Sequence, residues 1–210
     1  MSRLVRRASP LGLGLLLALV FQPTAQAATD EVSIVNFAFN PATTKVKLDD
    51  AVRWTNTASQ LHTTSSDGFA DGQGTTGVDL WHSGNLGSNA TFTFTFTVAG
   101  TFPYHCSIHS SMHGTVKVPI KARPSTGAVG TVFRIIWADA DPGVDFEFNI
   151  QRTDANGTTF HDWKIGVSHT KLRARFMPSQ PGTYMFRAQL QRISTGAKSG
   201  FSPPKSITAS

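Results

Sequence analysis

Residues 100–114 read Gly-Thr-Phe-Pro-Tyr-His-Cys-Ser-Ile-His-Ser-Ser-Met-His-Gly, and this stretch decides how the first half of the chain folds. Aromatic and β-branched side chains in residues 101–106 predict a strand, and residues 114–118 predict another. The residues between them have neither a helical nor a strand period. We therefore predict a loop that leaves one strand at Cys106 and enters the next at Gly114.

This loop carries three side chains suited to a soft metal ion. Cys106, His109 and Met112 are each separated by two residues. Thiolate, imidazole and thioether together suit copper, which must be stable as both Cu(I) and Cu(II). A fourth ligand must come from elsewhere in the chain, and His62 follows a predicted strand that ends near Asn56. The prediction is one mononuclear copper site held by His62, Cys106, His109 and Met112.

The cysteine count supports this interpretation, because Cys106 is the single cysteine of the chain. Exported proteins normally pair their cysteines in disulfides, and this thiol has no such partner. It is either buried and inert or occupied by a metal.

The remainder of the first half has the pattern of short strands and turns. Alternation is strictest in Thr91–Thr97, where three phenylalanines are predicted to face one core. Further strands are predicted at 32–39, 46–48 and 51–54, and no segment has capped helical periodicity. So many strands in a short span favour an antiparallel sandwich or a Greek-key barrel.

The N-terminal segment predicts export. Arg3, Arg6 and Arg7 precede a short apolar run at 11–21, and Ala25-Gln-Ala27 offers a small-x-small cleavage site. The apolar run is too short for a comfortable bilayer span, which favours a bacterial-type signal peptide over a membrane anchor. The mature protein is therefore expected to be secreted or periplasmic, with no membrane span after cleavage.

Charge divides the rest of the chain into two halves. Residues 28–119 contain 4 basic and 7 acidic side chains, a net charge of −3. Residues 120–210 contain 12 basic and 6 acidic side chains, a net charge of +6. A polar stretch with proline and glycine lies between them. The predicted organisation is a signal peptide at 1–27, a copper domain at 28–119, a linker at 120–126 and a second β-domain at 127–210.

The first half resembles the cupredoxins, the plastocyanin and amicyanin group of small blue copper proteins. The matching motifs, beside the four copper-binding side chains, are Phe37-x-Phe-x-Pro41, Val52-x-Trp-x-Asn56, Trp81-x-Ser-Gly84 and Gly100-Thr-Phe-x-Tyr-x-Cys106. The resemblance implies a Greek-key β-sandwich with one type 1 copper. In that family two imidazoles and the thiolate form a trigonal set, and methionine is a weak axial ligand.

Two positions depart from the family pattern. Ile108 stands where proline is frequent, and Thr63 stands where an asparagine often ties the two ligand loops together. The ligands themselves are unaffected. The departures bear on how rigidly the ligand loops are held, and so on the reduction potential.

The other histidines of the first half fit a second metal poorly. His105 must point away from Cys106, to the place where two-domain copper nitrite reductases hold a second copper. Asp67 stands where that site would need another histidine, and no second cupredoxin domain follows. His82 and His113 are predicted to be rim residues. The chain is therefore expected not to be an enzyme.

The resemblance implies a carrier of single electrons that meets redox partner proteins transiently outside the cytoplasm. His109 would present an imidazole edge, with Ile108 and Met112 in a small docking patch. One alternative is a copper storage or delivery protein whose C-terminal domain serves adhesion or docking, and another is an adhesion protein with a vestigial copper site. The mixed ligand set, without Met-rich or His-rich runs, favours electron transfer.

Residues 124–210 resemble a fibronectin type III domain, an immunoglobulin-like β-sandwich. The resemblance is carried by Trp137, by Tyr184 within Gly182–Ala188, and by Ser199–Pro203. Strands are predicted at 132–137, 146–152, 159–164, 172–176 and 183–191. Such modules are usually spacers or adhesion units, and the fold alone implies no chemistry.

Alternation in this half predicts which cations point outward. If Trp137 is buried, Arg134 is exposed, and if Phe176 is buried, the exposed cations before it are Lys171, Arg173 and Arg175. The two strands are neighbours in fibronectin type III domains, so the four cations would share one face. That face is either a solvated surface that protects the sheet edge or a contact for an acidic surface or polymer. Nucleic acid is not an expected partner.

Overall fold

A computed structural model describes residues 27–68 and 77–210. The predicted signal peptide lies outside the described residues, except for Ala27. No helix in the described ranges has the length and apolarity that a membrane crossing needs.

The described part of the first half is built from eight strands. They are β1 Thr29–Val35, β2 Ala38–Asn40, β3 Thr43–Lys45, β4 Ala51–Asn56, β5 Ser65–Ser66, β6 Thr91–Thr95, β7 Gly100–His105 and β8 His113–Val118. They form two four-stranded sheets, in the orders β2-β1-β4-β6 and β3-β8-β7-β5. The all-β prediction is confirmed, but the pairing is mixed, because β1 pairs with β4 and β3 with β8 in parallel.

The alternating phenylalanines in and just after β6 face the core, as predicted. Phe96 is fully buried, and Phe92 and Phe94 pack half-buried against the same core. On β4, the neighbouring strand of the same sheet, Trp54 lies directly across from Phe92. Trp54 stacks on Trp81 with ring centroids 5.7 Å apart, so aromatic side chains fill the space between the sheets.

The strand predicted at 32–39 is in fact two strands. β1 and β2 form a hairpin whose turn residues, Asn36 and Phe37, have φ of 33° and 64°. Asparagine adopts this left-handed region readily, whereas phenylalanine does so rarely. The apolar run therefore hid a turn, and the turn raises Phe37 at one end of the sandwich.

The second half forms another β-sandwich. Its strands in the described residues are β9 Lys121–Arg123, β10 Thr126–Gly127, β11 Phe133–Ile136, β12 Phe146–Arg152, β13 His161–Ser168, β14 Arg173–Phe176, β15 Gly182–Arg192 and β16 Lys205–Ala209. One sheet has the order β10-β16-β15-β12-β13, and the other has the order β14-β11-β9. Trp137 is 1% exposed and lies in the core of this sandwich, which meets the condition under which Arg134 was predicted to be exposed.

The segment predicted as a linker at 120–126 includes a strand. β9 pairs with β11, and its central residue Ala122 is buried. A polar stretch can still pair at a sheet edge when alternate residues face inward. The domain limits themselves stay a prediction.

Backbone hydrogen bonds join the two sandwiches near the start of β7. Thr101 and Gly200 exchange two of them, at 2.9 and 2.8 Å, and Ala99 N–H donates to the carbonyl of Trp137 at 2.8 Å. β7 then runs from this junction to Cys106, roughly 16–20 Å away at the rise of an extended strand. The second sandwich and the predicted copper ligands therefore lie at opposite ends of the first sandwich.

Candidate metal centre

Two consecutive backbone turns arrange the loop after β7. His109 N–H donates to the carbonyl of Cys106 at 3.2 Å, and Met112 N–H donates to the carbonyl of His109 at 3.0 Å. Cys106 N–H then donates to the carbonyl of Met112 at 3.1 Å and closes the loop. Because each turn joins a residue to the third residue after it, the two-residue spacing places all three predicted ligands at the ends of turns.

A buried asparagine organises the loop that delivers the fourth predicted ligand. The side-chain amide of Asn56 donates to the carbonyls of Gln60 and Leu86 at 2.7 and 2.8 Å, and its oxygen accepts from Ala58 N–H at 3.0 Å. His62 and Leu86 exchange backbone hydrogen bonds at 3.1 and 2.7 Å. These bonds hold the His62 backbone at the same end of the sandwich as the Cys106 loop.

The structure brings His62, Cys106 and His109 together, with one ligand atom of each within 4.8 Å of the others. Nδ1 of His62 lies 3.1 Å from Nδ1 of His109. The Cys106 sulfur lies 3.9 Å from the first of these nitrogens and 3.6 Å from the second. For comparison, a metal ion with three ligands in a plane and the bond lengths of zinc would hold the two ligand nitrogens about 3.5 Å apart. The ligand sulfur would lie about 3.7 Å from each nitrogen.

These three residues fit a soft transition-metal ion. Cys106 and His62 are fully buried, so water does not compete for their ligand atoms. Burial, helped by the neighbouring His109, lowers the pKa of His62 and favours the neutral imidazole that a metal requires. The Nε2 atom of His62 is buried without a hydrogen-bond partner, so within the described residues this imidazole interacts through Nδ1.

Met112 is 1% exposed, and its backbone carbonyl closes the same loop. Its burial corrects one expectation, because a buried methionine cannot contribute to a surface docking patch. Ile108 is 44% exposed, as that expectation requires.

Thr63 ties the two ligand loops together. Its hydroxyl oxygen accepts a hydrogen bond from Ser107 N–H at 2.7 Å, and its own N–H donates to the Cys106 sulfur at 3.3 Å. The departure from asparagine therefore does not remove the tie, since a shorter side chain makes it with its hydroxyl.

Sequence reasoning missed an aromatic contact at the rim of the site. The Phe37 ring meets the His109 imidazole edge-on at 4.9 Å and the His62 imidazole at 5.8 Å. Phe37, Leu61 and Ile108 are 50%, 51% and 44% exposed and flank the two histidines. The asparagine before Phe37 was the only local sign of a turn that would raise this ring.

His105 points away from the metal centre. Its Nδ1 lies 2.8 Å from a carboxylate oxygen of Asp67, and both residues are buried. His82, which is exposed, has its Nδ1 2.7 Å from the hydroxyl of Ser65. His113 is exposed and its Nε2 lies 2.9 Å from the carbonyl of Ser110.

Comparison with known proteins agrees with this geometry. The family model for copper binding proteins of the plastocyanin/azurin family matches residues 26–119. Amicyanin-alpha of Methylorubrum extorquens is 35% identical over 95 residues, which are 45% of this chain and 75% of amicyanin-alpha. The chain belongs to the plastocyanin/azurin family of copper-binding proteins. The match covers the sandwich that holds the metal centre, and cupredoxins of this family bind one type 1 copper.

Solved structures similar to this chain include two cupredoxins. A purple cupredoxin from Nitrosopumilus maritimus is 26% identical, with 42% of this chain and 98% of that chain covered and a TM-score of 0.37. A reduced amicyanin variant is 29% identical, with 45% and 85% covered and a TM-score of 0.37.

Proposed function

We propose that this protein is an extracytoplasmic electron carrier in which His62, Cys106, His109 and Met112 hold one type 1 copper. The observation that carries the proposal is the arrangement of ligand atoms, in which two imidazole nitrogens face one buried thiol. Bound copper would supply a centre that accepts and releases one electron. Thiolate and thioether ligands suit Cu(I), and imidazoles suit both oxidation states.

The protein side chains hold this centre in one shape. Thr63 joins the two loops, the loop turns set the spacing of three ligands, and Asn56 holds the backbone before His62. A site that is held by such hydrogen bonds changes little when its charge changes, which favours rapid electron exchange.

Electrons would leave and enter beside His109. His62 is fully buried, whereas His109 is only partly buried and lies among the exposed side chains of Phe37, Leu61 and Ile108. This apolar rim suits the small, weak interfaces of transient redox complexes. We infer that redox partner proteins dock on this rim.

Copper loading of the purified protein tests the ligand assignment. The loaded Cu(II) protein should show an intense visible absorption band, and Cys106→Ser should abolish it. His109→Ala should also lose the band, whereas the matched change His113→Ala should keep it because that imidazole faces Ser110. An intense band in Cys106→Ser would contradict the proposal.

Redox measurements distinguish the carrier from a storage or delivery protein. A carrier should cycle reversibly between Cu(II) and Cu(I) with retention of the metal and should exchange electrons between molecules in NMR line-broadening experiments. Loss of copper on reduction, without self-exchange, would support storage or delivery instead.

Export is part of the proposal and rests on the N-terminal sequence. We infer cleavage after Ala27, so that the mature chain begins at Ala28. N-terminal sequencing of the protein from the periplasm or culture medium checks this. An intact N-terminus at Met1 in that fraction would contradict it.

We also propose domain limits of 28–119 and 127–210, with a fibronectin type III-like fold for the second domain. Tyr184 supports that likeness, because its buried hydroxyl donates to the carbonyl of Gln180 at 2.9 Å, as the tyrosine corner of immunoglobulin-like sandwiches does. Limited proteolysis with mass spectrometry tests the limits, since stable fragments should end near residues 120–126.

A further inference from the structure

A row of arginines crosses the three-stranded sheet of the second sandwich. Arg123 on β9 lies directly opposite Arg134 on β11, which in turn lies directly opposite Arg175 on β14. All three are exposed. At a strand spacing of about 4.8 Å, this arginine row extends over about 10 Å.

The arginine row has no acidic partners. Within residues 27–68 and 77–210, no salt bridge involves Arg123, Arg134 or Arg175. Lys121, at the neighbouring position on β9, is by contrast paired with Asp139. Like charges directly opposite each other in a sheet repel, so the fold carries a repulsion that a bound anion would relieve.

Two further cations extend the row along the sheet edge. Arg173 and Lys171 precede Arg175 by two and four residues, and both are exposed. The structure therefore keeps the four cations predicted from the sequence on one side of the sandwich and adds Arg123. Sequence alternation could not include Arg123 because its strand falls in the segment predicted as a linker.

Three adjoining cavities make this surface a groove rather than a flat patch. A cavity of about 590 Å³ lies between Arg123 and Arg175, and Arg134 and Arg175 also line the next one, of about 370 Å³. The second shares Arg173 with a third cavity of about 540 Å³ that Lys171 also lines. No aspartate or glutamate is among the described residues that line them. We call this continuous surface the basic groove.

We propose that the basic groove binds a linear acidic polysaccharide, one that bears carboxylate or sulfate groups along its length. Planar guanidinium groups match such oxyanions with paired hydrogen bonds. A succession of cations along a concave path suits a chain with repeated charges. A protein partner would be expected to meet exposed aromatic anchors in the groove. The two tryptophans there are buried (Trp137) and partly buried (Trp163), and the exposed apolar side chains, Val132 and Ile165, are aliphatic.

The position of the groove leaves the metal centre free. Arg134 lies three residues before Trp137, which contacts Ala99 at the junction of the two sandwiches. From that junction β7 runs in the other direction, through the first sandwich to Cys106. A polysaccharide in the basic groove would therefore hold the protein in place while the rim around His109 stays open. The inference goes beyond electron transfer and does not depend on it.

Heparin, a sulfated polysaccharide, is the probe for the full-length copper-loaded protein, with neutral dextran as the uncharged control. The test variant is Arg123→Gln/Arg134→Gln/Arg175→Gln. The matched control, Lys45→Gln/Lys117→Gln/Lys205→Gln, removes the same charge from exposed lysines outside the groove. Calorimetric titration at low and high salt reports affinity and its salt dependence.

The wild-type protein should bind heparin and not dextran. If each of the three arginines of the row releases one counterion from heparin, the affinity should fall by about 40-fold as the salt concentration rises from 50 to 200 mM. The arginine variant should bind at least tenfold more weakly with a shallower salt dependence, whereas the lysine variant should stay near wild type. Arg123→Lys/Arg134→Lys/Arg175→Lys should weaken binding as well, because charge is kept but paired hydrogen bonds are lost.

Several outcomes would overturn the proposal. Equal weakening in the arginine and lysine variants would assign heparin binding to net charge. Equal affinity for a single-stranded oligonucleotide or for phosphatidylglycerol vesicles would assign the groove to polyanions in general. An unchanged visible spectrum and unfolding midpoint in the variants show that the fold and metal centre are intact, which separates this test from that of electron transfer.

Discussion

The hydroxyl oxygen of Thr63 accepts a hydrogen bond from the backbone N–H of Ser107 at 2.7 Å, so one side chain joins the loop of His62 to the loop of Cys106. The same residue donates its N–H to the Cys106 sulfur at 3.3 Å. Thr63 is 2% exposed, so solvent cannot replace the tie from its side.

Thr63→Val should loosen the two ligand loops, because it keeps the shape of the side chain and removes the acceptor. Loss of an acceptor for a buried or half-buried amide costs about 1–3 kcal/mol. We expect a lower urea midpoint and faster loss of copper to a chelator. Thr63→Ser keeps the hydroxyl and should behave nearly as wild type, and equal behaviour of the two variants would contradict the role of the tie.

Gly114→Ala should destabilise the protein strongly. A Cβ at this position would overlap with Cζ and the hydroxyl oxygen of Tyr104, a buried ring that cannot move aside. Overpacking of this kind typically costs about 1–3 kcal/mol. Thermal unfolding measures the loss.

Gly87→Ala is the matched control for that change. Its Cβ would meet only Leu61 Cδ2, at 4.0 Å, so the melting temperature should change little. If both alanine variants melted alike, close contact with Tyr104 would not be the cause.

Substitutions of Phe37 separate backbone strain from the shielding of the metal centre. Phe37→Ala keeps a side chain at φ 64°, whereas Phe37→Gly relieves that conformation. The glycine variant should therefore be more stable than the alanine variant by about 1 kcal/mol, measured by urea unfolding.

Both Phe37 variants also remove the ring that lies 4.9 Å from the His109 imidazole. Both should therefore lose copper to a chelator faster than wild type, and to the same extent. Slower loss from either variant would show that the ring does not protect the site.

Asp145 makes stability depend on acid pH. The hydroxyl and N–H of Ser194 donate to its carboxylate at 2.7 and 2.9 Å, and Arg192 donates at 3.1 Å. The Ser194 hydroxyl contributes most to lowering the pKa of Asp145 below its ordinary value of 3.8. Because the folded pKa is lower than the unfolded one, this stabilisation is complete above pH 3.8 and disappears as the pH falls through the folded pKa.

The stability difference between wild type and Asp145→Asn should therefore be constant at mildly acidic pH and shrink below pH 3.8. Ser194→Ala removes the hydrogen bond that the Ser194 hydroxyl donates to Asp145. In that background, the stability difference that Asp145→Asn causes should be smaller than in wild type. Urea unfolding at a series of pH values measures it, and a difference that grew towards lower pH would contradict the assignment.

The amino-acid sequence by itself determined the features that depend on residues close to each other along the chain. Alternation placed Phe92, Phe94 and Phe96 on one core, and the spacing of Cys106, His109 and Met112 matched the two turns that the loop makes. Such features are readable because side-chain direction follows directly from the local period of the backbone. The place of His62 after a predicted strand made it the candidate for the fourth ligand, although 44 residues separate it from Cys106, and the likeness to cupredoxins agreed with that choice.

Only the tertiary structure decided which distant residues meet. Thr63 stands where the family often has asparagine, yet its hydroxyl joins the two ligand loops. It does so because strand pairing brings the Ser107 N–H within 2.7 Å of it. Phe37 reaches the histidines because a turn interrupts an apolar run that the sequence pattern presents as one strand. Arg123 joins Arg134 and Arg175 because the register of three strands sets them opposite each other. Contacts of this kind depend on sheet register and loop packing over long sequence separations, which local periodicity does not encode.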